Sequence, residues 1–174
     1  LKAAVFEGGH IQGDTLVKEF RFHEAVAKRT EFEPLFDSRY SGKGKSTLVN
    51  VIRGSKNFHD GQWLGWLGED VEIDIDLGES IEIEKIKVGT MENQGAGIYY
   101  PVKITAWISS DGKNFNQVGE IKRGFENNGL AELNDFEIPT ELLEARYLKI
   151  EVDTYKGLKH NGRAWLFLDE IIVE

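Results

Sequence analysis

Asp70–Gly78, DVEIDIDLG, alternates without a break: Val71, Ile73, Ile75 and Leu77 take every second position, and Asp70, Glu72, Asp74 and Asp76 take the others. A period of two belongs to extended chain, whose successive side chains point to opposite faces, so this segment reads as a strand with one apolar and one solvated side. Gly78 is expected to end it. In the next run, SIEIEKIKVGT (Ser80–Thr90), Ile81 and Ile83 share one phase while Ile86 and Val88 share the other. A slip of one residue turns every later side chain over, so a bulge is expected near Lys85.

The same reading extends outward. PVKITAWISS puts Val102, Ile104, Ala106 and Ile108 on one face; Asp111-Gly112 supplies a tight turn, and Phe115–Ile121 returns to complete a hairpin. Further strands are expected at Asn134–Ile138, Tyr147–Val152 and Trp165–Val173, the last with a second phase slip at Asp169 and Glu170. Helical periodicity is almost nowhere sustained, and short strands between Gly, Asn and Asp clusters indicate an all-β sandwich or barrel. Upstream, Leu1–Phe6 and Thr15–Phe22 are strand-like and joined through Gly8, Gly9 and Gly13; a loop-rich stretch from Pro34 to Gly44 follows. The boundary is placed there, with residues 1–40 as an N-terminal β segment, linker or remnant of a preceding domain, and residues 41–174 as the sandwich. Forty residues cannot enclose a core, so this segment must pack on the sandwich or close a preceding domain.

A chain of 174 residues corresponds to one domain, and 40% hydrophobic with 29% charged residues is a globular balance. The net charge of −9 argues against nucleic acid and against insertion at an anionic membrane, both of which need Lys and Arg. A neutral glycan meets no such penalty. Cysteine is absent, which removes disulfides and thiolate chemistry. Without a leading Met or signal segment, the chain is expected to be a piece of a longer one.

SGKGKST (Ser41–Thr47) looks like a phosphate loop, but position 39, where the pattern needs glycine, is Arg39, and no helix is expected to follow. His10, His23, His59 and His160 lack zinc-ligand spacing. The carboxylates mostly alternate outward on strands, and no pair stands out as a catalytic couple. Three loops carry more information. NFHDGQWLGWLG holds Phe58, His59, Trp63 and Trp66; ENQGAGIYYP holds Glu92, Asn93, Gln94, Tyr99 and Tyr100; TYKGLKHNGRAWLF holds Tyr155, His160, Asn161, Arg163 and Trp165. A sugar ring stacks its C–H face on an aromatic ring, and its hydroxyls need planar donors and acceptors to replace lost water, so loops mixing the two residue types suit a glycan. Core packing is the competing use of such rings; Trp107, Trp165 and one of Trp63 and Trp66 are expected to be structural.

From about residue 45 onward the sequence resembles the discoidin or coagulation factor V/VIII type C domain and its relatives in carbohydrate-binding module family 32. The resemblance rests on LVNVIRGS, DVEIDIDLG, ISSDGKNFNQV, ARYLKIEV and LFLDEIIVE, in that order. GSKNFHDGQWLGWLG and KHNGRAWLFLDEIIV further resemble the C-terminal discoidin domain of bacterial chitobiases, β-N-acetylhexosaminidases of glycoside hydrolase family 20. The resemblance implies a jelly-roll β-sandwich of the galactose-binding-domain type and an extracytoplasmic setting. It also implies a non-catalytic role holding a parent hydrolase, the catalytic domain of the same chain, on glycan. Galactosides and N-acetylhexosamine oligomers are the expected ligands, with His59, Trp66, Glu92, Asn93, Tyr99, Tyr100, His160, Asn161 and Arg163 as the contacts.

Members of this family commonly hold a structural calcium. The matching positions are Asn50, Ile52, Ser55 and Glu170, with Asn50 where Asp is usual and Val51 where Gly is usual. Calcium prefers anionic oxygen, so the lost carboxylate weakens the implied site. The alternative role is a spacer or docking domain with no ligand of its own, presenting an apolar patch of Trp63, Leu64, Trp66 and Leu67 to the parent enzyme.

Overall fold

The computed structural model describes residues 1–17, 22–157 and 162–174. Its framework is a pair of long strands, β5 (Val71–Glu92) and β8 (Glu132–Asp153), antiparallel along most of their 22 residues. The register slips between Asp76 and Ile81 and again between Ile83 and Lys85, which divides the pair into two segments. Before the slips, β5 also pairs with β3 (Arg29–Glu33), while β8 pairs with β6 (Lys103–Ser109) and β6 with β7 (Asn116–Lys122). After them, β5 pairs with β9 (Trp165–Val173), which carries β4 (Leu64–Leu67) on its far side.

The two halves of this one hydrogen-bonded sheet face each other. Ile73, Ile75, Leu77, Ile104, Leu148 and Ile150 from one half and Ile86, Val88, Ile138, Leu166, Leu168 and Ile171 from the other are buried in a single cluster. Alternation thus put the right residues inside, and the β-sandwich expected from the sequence is the fold observed.

Gly78 does not end its strand. It takes a positive φ of 87° at the corner, and the chain continues across into the second layer. Opposite it, Glu141 and Leu142 have φ of 55°, so Asn134–Ile138 and Tyr147–Val152 are two arms of one bent strand rather than separate elements. The slip at Lys85 lies where the phase change required it. The second slip is also present: Gly89 faces Glu170 and Thr90 faces Leu168, which leaves Asp169 as the extra residue of a bulge. A bulge re-aims side chains, and here it buries two adjacent acids, Asp169 and Glu170, each 1% exposed.

Upstream, β1 (Lys2–Glu7) and β2 (His10–Val17) form a separate hairpin turned by Gly8 and Gly9, both at positive φ. Ala25 and Phe32 are buried in the sandwich core and β3 joins its sheet, so the sandwich begins upstream of residue 41. The Ser41–Thr47 segment leads into a 3₁₀ turn, Gly44–Val49, with no α-helix whose amide groups could cradle a phosphate.

Candidate functional site

Trp165 opens β9 and gathers the loops at one end of the sandwich. Its N–H donates to the carbonyl of Gly97 at 2.9 Å, and its own carbonyl accepts from Tyr99 N–H at 3.0 Å. Next to it, the carbonyl of Ala164 accepts from Gly68 N–H at 2.8 Å. On the side-chain level, Tyr40 meets the Trp165 ring edge-on at 4.9 Å and the Arg39 guanidinium lies 4.7 Å over it. Residues far apart in sequence therefore converge on one rim.

The first surface on this rim is a groove of about 160 Å³ lined by Arg39, Tyr40, Ser41, Phe58, His59 and Trp63. Asp37 organises one wall: its carboxylate accepts from Arg39 N–H and from Nε and Nη2 of Arg39, each at 2.9 Å. Those bonds hold the Asp37 carboxyl down at about 2, and the Arg39 side chain stays largely exposed. Asp60 shapes the other wall by accepting from Ser55 N–H at 2.6 Å and Gln62 N–H at 2.9 Å. Between them His59 packs against Phe58 at 4.2 Å and Tyr40 at 5.9 Å, and its ring nitrogens have no hydrogen-bond partner among the described residues. Trp63 forms the floor, buried against Phe167, with its Nε1–H donated to Ser55 O at 3.1 Å.

The second surface is a shelf of three rings. Tyr155 stacks on Tyr99 at 5.0 Å and on Phe125 at 4.9 Å, with ring planes 28° and 20° apart, and Phe125 is half exposed. Gln94 fixes the loop that carries Phe125, donating Nε2–H to Glu126 O at 2.7 Å and accepting from Asn128 N–H at 3.1 Å. Asn93 caps its own short turn by accepting from Ala96 N–H at 3.2 Å. Flat apolar faces and planar polar groups thus lie together at one end, the combination that can bind a hydroxylated ring.

Among the expected contacts, His59 and Arg163 are exposed and Tyr99 and Asn93 are half-buried on this rim. Arg163 runs along the backbone of Gly68, where a side chain would come within 3.0 Å of its Cγ. His160 and Asn161 lie outside the described residues. Three others face inward. Trp66 is 1% exposed, donates to Pro34 O at 3.0 Å and packs on Phe32 and Phe36, so it braces the core. Glu92 is 2% exposed, and its carboxylate accepts from the Tyr100 N–H at 3.3 Å. Tyr100 itself lies edge-on to Phe136 with Arg123 over its ring. Burial, then the charges of Glu132 and Glu92, push its hydroxyl up to about 12. The expected apolar patch is likewise interior, since Trp63, Leu64 and Trp66 are all buried. Arg39 and Tyr40 sit in a stretch that reads as linker, and Phe125 is a lone aromatic in the polar run RGFENNG, so none of the three stands out in the sequence.

At three of the four positions implied for calcium, side-chain oxygens already accept hydrogen bonds from the protein. Asn50 Oδ1 accepts from Ile52 N–H at 2.7 Å, and Ser55 Oγ accepts from Asn57 N–H at 3.2 Å at an exposed position. Glu170 Oε1 accepts from Val51 N–H at 3.2 Å and lies 3.0 Å from His23 Nε2. Among the described residues, no group of three or more His, Asp or Glu side chains is placed to hold a metal ion. Of the four implied positions only Glu170 brings a carboxylate, so the anionic charge that calcium prefers is low here.

The family model described as the F5/8 type C domain matches residues 33–171. Among solved structures, the chain is similar to chitosan-binding module 1 of a chitosanase/glucanase from Paenibacillus sp. IK-5, at 17% identity and TM-score 0.55 over 88% of this chain and 99% of that one. It is also similar to CpGH89CBM32-5 from Clostridium perfringens, solved with GalNAc-β-1,3-galactose, at 19% identity and TM-score 0.53 over 84% and 94%. A fucose binding module of Streptococcus pneumoniae is 17% identical with TM-score 0.52 over 87% and 96%. None of the curated proteins matches the chain.

Proposed function

The chain belongs to the F5/8 type C domain family, and from that membership we propose that it is a non-catalytic carbohydrate-binding module whose ligand lies across the rim around Trp165. The observation that carries this reading is the pairing of a cluster of three rings, the half-buried Tyr99 and Tyr155 with the half-exposed Phe125, with a groove offering Arg39 and His59 at the same end. Three similar folds are described by the chitosan, the fucose or the GalNAc-galactose they bind, which supports the same ligand class here. Because the surface is open and the polar partners few, binding is weak for a single site. Its benefit comes from tethering: a module linked to a hydrolase raises the local concentration of substrate.

More narrowly, the module serves a secreted β-N-acetylhexosaminidase of the chitobiase type, and its ligand is a galactoside or an N-acetylhexosamine oligomer. Calorimetry against both series tests this, together with chitosan oligomers and fucosides. Binding to at least one series with a dissociation constant in the micromolar to millimolar range is the expected result, and silence across all four removes the reading.

A docking role rests on a different feature. The β1–β2 hairpin exposes Val5, Phe6, Ile11, Leu16 and Val17, all more than half accessible. A two-stranded hairpin is marginal alone in water, so a parent enzyme covering these side chains would stabilise it. Loss of parent-enzyme stability on deleting the domain, with no sugar bound by the domain itself, favours this second role.

A further inference from the structure

We propose that His23 takes the place of the family's metal ion, so that loop Asn50–Ser55 is held to the last strand by protein contacts alone and the domain is stable without calcium. Two adjacent acids anchor that loop. Asp169 accepts from Gly54 N–H and from Arg53 Nε, each at 2.8 Å, and Glu170 accepts from Val51 N–H. Beside Glu170, the side chain of His23 is 3% exposed and that of Glu170 1%, so this contact is as buried as the core.

His23 lies upstream of the stretch that matches the family, and its own segment is fastened to the sandwich. Glu24 N–H donates to Val173 O at 2.9 Å, Ala27 N–H donates to Val49 O at 2.8 Å, and Ala25 between them is fully buried. The imidazole is oriented from both sides. Val173 N–H approaches Nδ1 at 3.5 Å, which leaves the ring proton on Nε2, facing Glu170. The loop shows the same accommodation: Val51 has φ of 60° in the position where the family has glycine, a strained geometry for a β-branched residue that the bond to Glu170 holds in place.

One oxygen is left over. Among the described residues Glu170 Oε2 is buried without a protein partner, and Glu170 lines a cavity of about 270 Å³ shared with His23, Val51 and Arg53. Removing the imidazole would therefore leave a buried carboxylate with room beside it, which is the condition under which a cation becomes favourable.

Thermal melting of the full chain with 5 mM calcium chloride and with EDTA tests the inference, in wild type, His23→Ala and His23→Gln. Wild type should melt at the same temperature in both, to within about 1 °C. His23→Ala should melt about 3–10 °C lower in EDTA and recover part of the loss in calcium. His23→Gln retains an N–H donor for Glu170 and should stay closer to wild type, which covers the case of an alanine variant that fails to fold. A wild type stabilised several degrees by calcium would overturn the proposal. So would a His23→Ala protein that melts with wild type, or one that melts lower yet ignores calcium.

Discussion

The backbone N–H of Tyr99 donates to the carbonyl of Trp165 at 3.0 Å, and this bond joins the two surfaces proposed to bind sugar. On one side of it Tyr99 enters the shelf with Tyr155 and Phe125. On the other, the Trp165 ring supports Tyr40 and Arg39 at the groove. The rim is thus built from the start of a core strand, with Leu166 and Phe167 buried immediately behind it, and a site on a rigid element is positioned before ligand arrives.

Replacing Tyr155 with alanine removes the ring that stacks on both of its neighbours. Affinity for the bound glycan should fall about tenfold or more, the scale of one lost aromatic contact, while melting temperature changes little. Parallel calorimetry and thermal denaturation of the variant check both halves of this expectation.

Trp66 should behave in the opposite way. Its ring is buried against Phe32 and Phe36, so Trp66→Ala should cost about 3–5 kcal/mol of stability and leave the affinity of the surviving folded protein unchanged. Denaturant titration combined with calorimetry at low temperature distinguishes the two effects.

The contrast between these two rings shows what could be read without coordinates. Period-two alternation identified the sandwich and both bulges, because a strand buried on one side leaves that signature in every pair of residues. The same loop composition that marked the rim could not say which aromatic faced out. Trp63 and Trp66 stand three apart in one glycine-rich loop, and only the pairing of β4 with β9 and the packing of Phe32 on Trp66 show that both turn inward. Glu92 was misplaced for a related reason. In the sequence it reads as a loop residue, whereas β5 runs on to it and it keeps the inward phase of Ile86, Val88 and Thr90. Tyr40 and Arg39 acquire their roles only through contact with residue 165, more than a hundred positions away.

Gly54 has a steric role that a substitution would expose. A Cβ there would lie 2.2 Å from Cε2 of Trp63, inside the floor of the groove. Gly54→Ala should destabilise the domain by about 1–3 kcal/mol or more, as overpacked cores do, and should also disturb the groove. Chemical denaturation and the tryptophan fluorescence of the native state report the two consequences.

Asp76 sets a pH dependence at the sandwich corner. Its carboxyl is held down at about 2, chiefly by hydrogen bonds from Arg146 at 2.8 and 3.0 Å and also by Gly78 N–H. The unfolded chain, with an ordinary value near 4, takes up the proton first as pH falls. The stabilisation is therefore complete above about pH 4 and disappears as pH drops through about 2. Asp76→Asn should flatten the melting profile across that window, and because the pair is partly exposed the effect should shrink at high salt.

Titration of the ¹⁵N-labelled domain with the tightest-binding glycan, followed by amide chemical shifts, addresses the rim most directly. Saturable shifts concentrated at His59, Tyr99, Phe125, Tyr155 and Trp165 are the predicted result. Shifts confined to a separate groove, lined by Arg29, Asp74, Phe115, Tyr147 and Lys149, with the rim amides unmoved at saturation, would contradict it.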